Sequence, residues 1–388
     1  MQEALITSDY GVFTVLAGIC AFYFFLARKT KAKIFDFLPP LLWIYLTPMI
    51  LSNTGVIPNS HPVYGTLKLY LIPMFLTIML LDVDVKTAFS SMGRVIAVML
   101  MGSVGVMVGA VGSYALFHNF LGPDAWKAFG TLAGSWIGGT GNMAAVAGAV
   151  EISKVDLGLA VLADNMVYIV WLPILLTCKR WGGWFNKFTG VSDEHFDRMK
   201  KLGDALQSKD AKLEMHHVLY LLFLGLAVMT LAKSLAPIMP EVKPVFTAGT
   251  WTVLLVSTFA LGLSFTPAKK IPGTGPISTA LIYLFVARMG ATSSLEGLSQ
   301  APWFLLAAYL WIAVHGFFCL LGARLFKLDV SSAAIASAAN IGGAASAPVV
   351  AAFHDERLVP VSVLMALIGY AVGTYLAFFT AQLCFMIS

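Results

Sequence analysis

Charge is what this sequence has least of. Only 12% of its 388 residues are Asp, Glu, Lys or Arg, where a soluble globular domain carries about 25%, and 59% are hydrophobic. That balance excludes a water-soluble fold. Cysteine is scarce as well: Cys20, Cys178, Cys319 and Cys384 lie in or at the ends of apolar runs without paired spacing. They form no zinc or redox motif and read as small hydrophobes. Residues 1–10 hold Glu3 and Asp9 but no basic residue, so the basic n-region of a secretory signal is missing and the first apolar run is expected to remain as a span. Gly-x-x-x-x-Gly-Lys-Ser/Thr and His-Glu-x-x-His do not occur, and Gly139-Thr140-Gly141 does not complete a nucleophile elbow. ATP-driven transport and enzymatic chemistry therefore have no positive support, and no cofactor or nucleic-acid partner is expected.

What the sequence has in abundance is long apolar runs. A bilayer-crossing helix needs about 20 mostly apolar residues, which predicts spans near 10–27, 37–57, 66–82, 93–117 and 157–178, then near 216–236, 245–265, 276–294, 302–322 and 358–384. Two further apolar stretches rich in small residues, Trp126 to Val150 and Val330 to Phe353, could each cross fully or enter and leave on one side. Basic loops collect on the cytoplasmic side. With both stretches re-entrant, the loops Arg28 to Lys33, Lys86 to Arg94, Lys179 to Lys212, Lys269-Lys270, Arg324 to Lys327 and Arg357 share one face and hold 19 of the 25 Lys and Arg. Full crossings would split the basic loops between the faces. The expected fold is thus an all-α polytopic membrane protein of ten transmembrane helices and two re-entrant hairpins, with both termini on the outer face of a bacterial inner membrane.

The halves repeat each other. Ile137-Gly138-Gly139-Thr140-Gly141-Asn142 and Ile341-Gly342-Gly343-Ala344-Ala345-Ser346 align without a gap, and each is followed by a short polar link and a long span. Residues 1–178 form one repeat, 179–215 a cytoplasmic linker and 216–388 the second repeat. Five crossings per half is an odd number, so the second repeat is inverted relative to the first. Inverted repeats with irregular backbone at the midplane mark secondary transporters, and backbone polar groups at that depth need protein or water partners.

Several polar residues stand in or beside these segments. Ser135, Thr140 and Asn142 in the first half, with Ser337, Asn340 and Ser346 in the second, offer the hard oxygens that hold Na⁺. Gly138, Gly139, Gly342 and Gly343 permit a tight reversal and close backbone approach. Asp164, beside Asn165, is a costly carboxylate inside a span and the first choice for ion or proton coupling; a structural hydrogen bond or a pair with Arg288 is its bland reading. A Na⁺ site is expected near Asn142, Asp164 and Asn340. Arg288 could clamp an anionic substrate group bidentately. His315 reads as hydrogen-bonded packing, and Asp82, Asp84 and Glu296 as solvated span ends. Phe196, Met199, Leu202 and Leu206 predict a short amphipathic helix on the cytoplasmic surface.

The segments Gly134 to Asn142 and Ala338 to Ser346 resemble a membrane family of bacteria and plant organelles known as domain of unknown function 819, and the resemblance covers essentially the whole chain. More distantly, ten spans with two opposed hairpins resemble the sodium-coupled glutamate and citrate carriers. That resemblance implies an elevator mechanism, in which a domain holding both hairpins slides against a scaffold that usually dimerises. The tips here, Thr140-Gly141-Asn142 and Ala344-Ala345-Ser346, depart from the carriers' fully glycine-rich run. The expected function is a secondary active transporter of a small polar, carboxylate-bearing solute coupled to Na⁺ or H⁺. An ion channel or ion-only exchanger is the first alternative, and an intramembrane enzyme the second.

Overall fold

The computed structural model describes residues 4–30, 35, 40–206, 212–293 and 300–388. Glu296 lies outside them. Among the described residues every regular element is a helix, apart from one isolated bridge between Val242 and Phe246. The α-helices are α1 (Asp9–Thr30), α2 (Pro40–Asn53), α3 (Pro62–Leu81), α4 (Val85–Phe117), α5 (Ala125–Ala149), α6 (Lys154–Thr177), α7 (Gly182–Thr189) and α8 (Asp193–Leu206). After them come α9 (Met215–Leu235), α10 (Ala248–Ser264), α11 (Thr274–Ala291), α12 (Ala301–Phe326), α13 (Val330–Ile341), α14 (Gly343–His354) and α15 (Val359–Phe385). Seven of them, α1, α3, α4, α6, α9, α12 and α15, are long and apolar enough to cross a membrane. The three other expected spans form the shorter helices α2, α10 and α11, of 14, 17 and 18 residues.

The helices sort into two bundles. In one, α1, α2, α3, α9, α10 and α11 pack together; in the other, α4 packs along α12 and α5 along α15, with α6, α13 and α14 filling in. The second bundle is close-packed through small residues, as helices are when apolar surroundings supply no hydrophobic drive. A Cβ on Gly109 of α4 would stand 2.6 Å from Trp311 of α12.

Both small-residue segments double back. In α5 a Cβ on Gly134 would lie 3.3 Å from the Cα of Met143, whereas nine residues of straight helix rise about 14 Å. The reversal is at Gly139, whose φ of 71° and ψ of −176° suit glycine alone. In the second segment the chain turns at Gly343, with φ 57°, and His354 Nδ1 lies 2.8 Å from Ser331 Oγ across the base. Local chemistry starts the second hairpin cleanly. Asp329 caps α13, accepting from the Ser332 backbone N–H at 2.9 Å and its hydroxyl at 2.6 Å. All of α13 is buried, as is nearly all of α5.

The hairpins enter from opposite ends of the molecule. At one end the basic loops meet: Lys179 donates to the His354 carbonyl at 2.7 Å, Lys269 pairs with Asp84 at 3.5 Å, and Asn186 Oδ1 accepts from the Val330 N–H at 3.2 Å. Asp355 lies here, and the Arg357 guanidinium gripping it at 2.9 and 2.8 Å holds its carboxyl below the usual carboxylate range. The amphipathic α8 docks at this end with Met199 buried, and its Gly203 packs against the Arg357 carbonyl. The other end gathers Leu5, Ser388 and the base of the first hairpin. Leu5 N–H bonds the Gly55 carbonyl at 3.0 Å, Ser388 meets Tyr114 at 2.6 Å, and Lys154 reaches the Asn59 carbonyl at 3.2 Å.

Candidate functional site

The two tips touch. A Cβ on Gly343 would lie 3.4 Å from the Cα of Gly139, and the Tyr370 ring of α15 packs on both glycines, 3.0 Å from a Cβ on Gly139 and 3.2 Å from one on Gly343. The Tyr370 hydroxyl accepts from the Ala344 N–H at 3.1 Å, and its carbonyl accepts from Asn142 Nδ2 at 3.0 Å. Gly369, the residue before it, and Gly373, nearly one turn after it, allow this approach: a Cβ on Gly369 would stand 2.5 Å from the Ile137 carbonyl oxygen, and one on Gly373 would overlap the Asn142 amide. Tyr370, Gly369 and Gly373 were not singled out from the sequence, although Gly-x-x-x-Gly spacing is a known helix-contact signal.

Asn142 is completely buried, and among the described residues its Oδ1 has no hydrogen-bond partner. Leaving such an acceptor unpaired costs about 1–3 kcal/mol, so this oxygen is available to a cation or a water at the tips. Ser346, on the second tip, and Tyr168 of α6 both lie against Gly342.

Asp164 of α6 sits behind the first tip. Its Oδ2 accepts from Ser135 Oγ at 3.0 Å and its Oδ1 from Trp136 Nε1 at 2.9 Å. It makes no ion pair with Arg288; among the described residues no cationic side chain lies within 4.0 Å of it. A cavity of about 20 Å³ separates Asp164, Asn165 and Thr140 from Tyr45 of α2 and Met289 of α11. Such a volume holds about one water-sized particle. The structural reading of the Asp164 hydrogen bonds is therefore observed, and the carboxylate also faces the seam between the bundles.

Two expected ligands are turned elsewhere. Ser337 accepts from Trp171 Nε1 at 3.0 Å and bonds His315 Nε2 at 2.9 Å, while His315 Nδ1 meets the Gly102 carbonyl at 2.9 Å. The carbonyl can only accept, so Nδ1 carries the proton and Nε2 of the neutral ring accepts from Ser337. Asn340 is likewise fully engaged, its amide donating to the Met99 and Ala336 carbonyls at 2.9 and 3.1 Å and accepting from Ser103 at 2.7 Å. Asn340 pins α13 to α4 and Ser337 pins it to α6 and α12, and Asn340 does not join Asp164 in one site. His315 is fully buried, with both ring nitrogens hydrogen-bonded.

Arg288 lies away from the tips. It donates from Nε to the Tyr64 carbonyl at 3.2 Å and lies against the Phe285 ring, in a cavity with Lys68, Glu151 and Lys154. Residue 288 is near the end of α11, so the helix carries it past the tips toward the base of the first hairpin. Asp82 and Asp84 are not simply solvated. Thr274 donates to Asp82 at 2.6 Å, and Asp84 caps α4 through Thr87 at 3.1 Å.

From the basic end, a cleft of about 760 Å³ runs between the bundles down to the second tip. Met79, Asp82, Ser278 and Ile282 line one side, and Ala344, Leu367 and Tyr370 the other. A family model described as protein of unknown function, DUF819, matches residues 14–387. The chain belongs to the DUF819 family. A relative, the uncharacterized membrane protein YjcL of Bacillus subtilis strain 168, is 26% identical over 345 residues, which cover 85% of this chain and 86% of that protein. This DUF819 protein is accordingly a multi-pass, all-α membrane protein, and its two glycine-containing turns, Gly138-Gly139 and Gly342-Gly343, fall inside the matched region.

Proposed function

We propose that this protein is a secondary active transporter in which both hairpins are re-entrant and their tips bind the solute. The observation that carries this reading is the contact of Gly139 with Gly343 beside a deep cleft between two bundles. Lipid cannot satisfy the backbone of a broken helix, and the burial of α5 and α13 within protein supports tips at membrane depth. With the basic end cytoplasmic, as the positive-inside bias directs, the first hairpin enters from outside and the second from inside. Five crossings per half then give ten spans in inverted repeats.

The cleft reaches the tips from the cytoplasmic end, so the conformation is inward-facing. Sliding of the hairpin bundle along α3 and α11 would carry the tips toward the other end, an elevator motion. The first turn of the returning α5 arm and that of α14 aim helix N-termini at the tip contact, where they favour an anionic group. Asp164, without an ion-pair partner among the described residues and beside a cavity sized for one particle, is the coupling group for H⁺ or Na⁺. The protein in proteoliposomes should concentrate a small polar solute when a Na⁺ or pH gradient is imposed. Saturable, gradient-dependent uptake is the expected result; non-saturating flux indifferent to the gradient would point to a channel instead.

A further inference from the structure

The crevice opposite the cleft has chemistry of its own. Its volume is about 370 Å³, and it lies where α3 and α11 meet the base of the first hairpin, lined by Tyr64, Lys68, Gly148, Glu151, Lys154 and Arg288. α3 shows how far it is from the cytoplasmic cleft: Tyr64 lines this crevice and Met79 that cleft, which fifteen residues of helix set about 22 Å apart.

Positive charge dominates here. Lys68, Lys154 and Arg288 face a single carboxylate, Glu151, which pairs with Lys68 at 3.7 Å and whose side chain is 82% exposed. Lys154 is spent on the Asn59 carbonyl at 3.2 Å. His61 is spent too, with Nε2 on the Thr7 carbonyl at 2.8 Å and Asp9 beside it at 3.6 Å. Arg288 is different. Among the described residues its bonding stops at Nε, on the Tyr64 carbonyl, so the two Nη groups, the fork that grips planar oxyanions, have no acceptor. Lys68 lies close enough for its charge and that of Arg288 to repel. A half-buried guanidinium held rigid at Nε, with a second cation beside it and a cavity in front, is the arrangement an oxyanion completes.

We propose that Arg288 and Lys68 form an oxyanion-binding site, for a carboxylate or phosphate group, at the end of the molecule away from the cytoplasmic cleft. The group is borne by a free solute or by a lipid headgroup. The site rests on these side chains and not on the transport reading, since it binds at equilibrium whether or not the protein transports. Met289 links it to the interior, because it lines both this crevice and the small cavity at Asp164.

The test uses the full chain in nanodiscs of phosphatidylcholine, with thermal unfolding followed as succinate or inorganic phosphate is added, and again with phosphatidylglycerol in the disc. Saturable stabilisation by either soluble anion is expected. Arg288→Gln and Lys68→Gln should each weaken it about tenfold or more, Arg288→Lys less, because charge remains while the fork is lost. Asp82→Asn, at the opposite cleft, should leave it unchanged. Stabilisation that appears only with phosphatidylglycerol and is lost in the Arg288 and Lys68 variants supports the site with a lipid as its source. Stabilisation absent with all three probes, or undiminished in correctly folded Lys68→Gln and Arg288→Lys proteins, overturns the proposal.

Discussion

Gly139→Ala is expected to lower the stability of the detergent-solubilised protein by about 1–3 kcal/mol and to abolish solute uptake. Two effects combine at this position. A φ of 71° with ψ of −176° is a backbone conformation that L side chains do not adopt, and the added methyl would press on the Tyr370 ring at 3.0 Å. The ring cannot retreat freely, because its hydroxyl holds the second tip through the Ala344 N–H. Strain at one tip is therefore passed to the other. Gly112→Ala is the natural control, since nothing lies within 4 Å of a Cβ there. It should be neutral in uptake. Equal stability and uptake for Gly139→Ala and Gly112→Ala would mean that the tip geometry is wrong.

The second large effect concerns coupling. Asp164→Asn should fold, because an asparagine oxygen can accept from Trp136 while its amide donates to Ser135, keeping both contacts at the distances now seen of 2.9 and 3.0 Å. What it loses is the ability to carry a negative charge or a proton. Concentrative uptake should fall about tenfold or more while solute exchange without a gradient persists, the pattern of an uncoupled carrier. Asp164→Leu strands the Trp136 N–H without an acceptor and should cost a further 1–3 kcal/mol or about that. Gradient-driven uptake at wild-type levels by Asp164→Asn would remove Asp164 from the coupling role.

Much of this was legible in the chain. The glycine pairs at 138–139 and 342–343 marked places for tight turns inside two apolar, small-residue runs, 126–150 and 330–353, that by length alone could cross or turn back. Loop charge then sorted the ends, and the structure gathers the loops carrying Lys179, Lys269 and the Asp355–Arg357 pair at one of them. Facing was not legible. Ser337 and Asn340 lie in a helix every side of which is buried, and only the positions of α6 and α12 for the first and α4 for the second set what they bond. Arg288 looked central because residue 288 falls within an apolar run, but depth depends on where α11 begins, and Thr274 starts it at the opposite end. Tyr370 gave no signal beyond Gly369 and Gly373, which most membrane helices would use for ordinary contact. The Asp164 partners were half legible: Ser135 was singled out, while Trp136 read only as part of the motif.

The central claim is that the two hairpins enter from opposite faces, and single-cysteine accessibility tests it without knowledge of the solute. Cys20, Cys319 and Cys384 are buried, so a Cys178→Ser background should label weakly. In that background Lys154→Cys, beyond the first hairpin, should react with a membrane-impermeant maleimide from outside intact cells. Glu356→Cys, beyond the second, should react only in inverted vesicles. Labelling of both positions from the same face would contradict the inverted arrangement and the transport reading built on it.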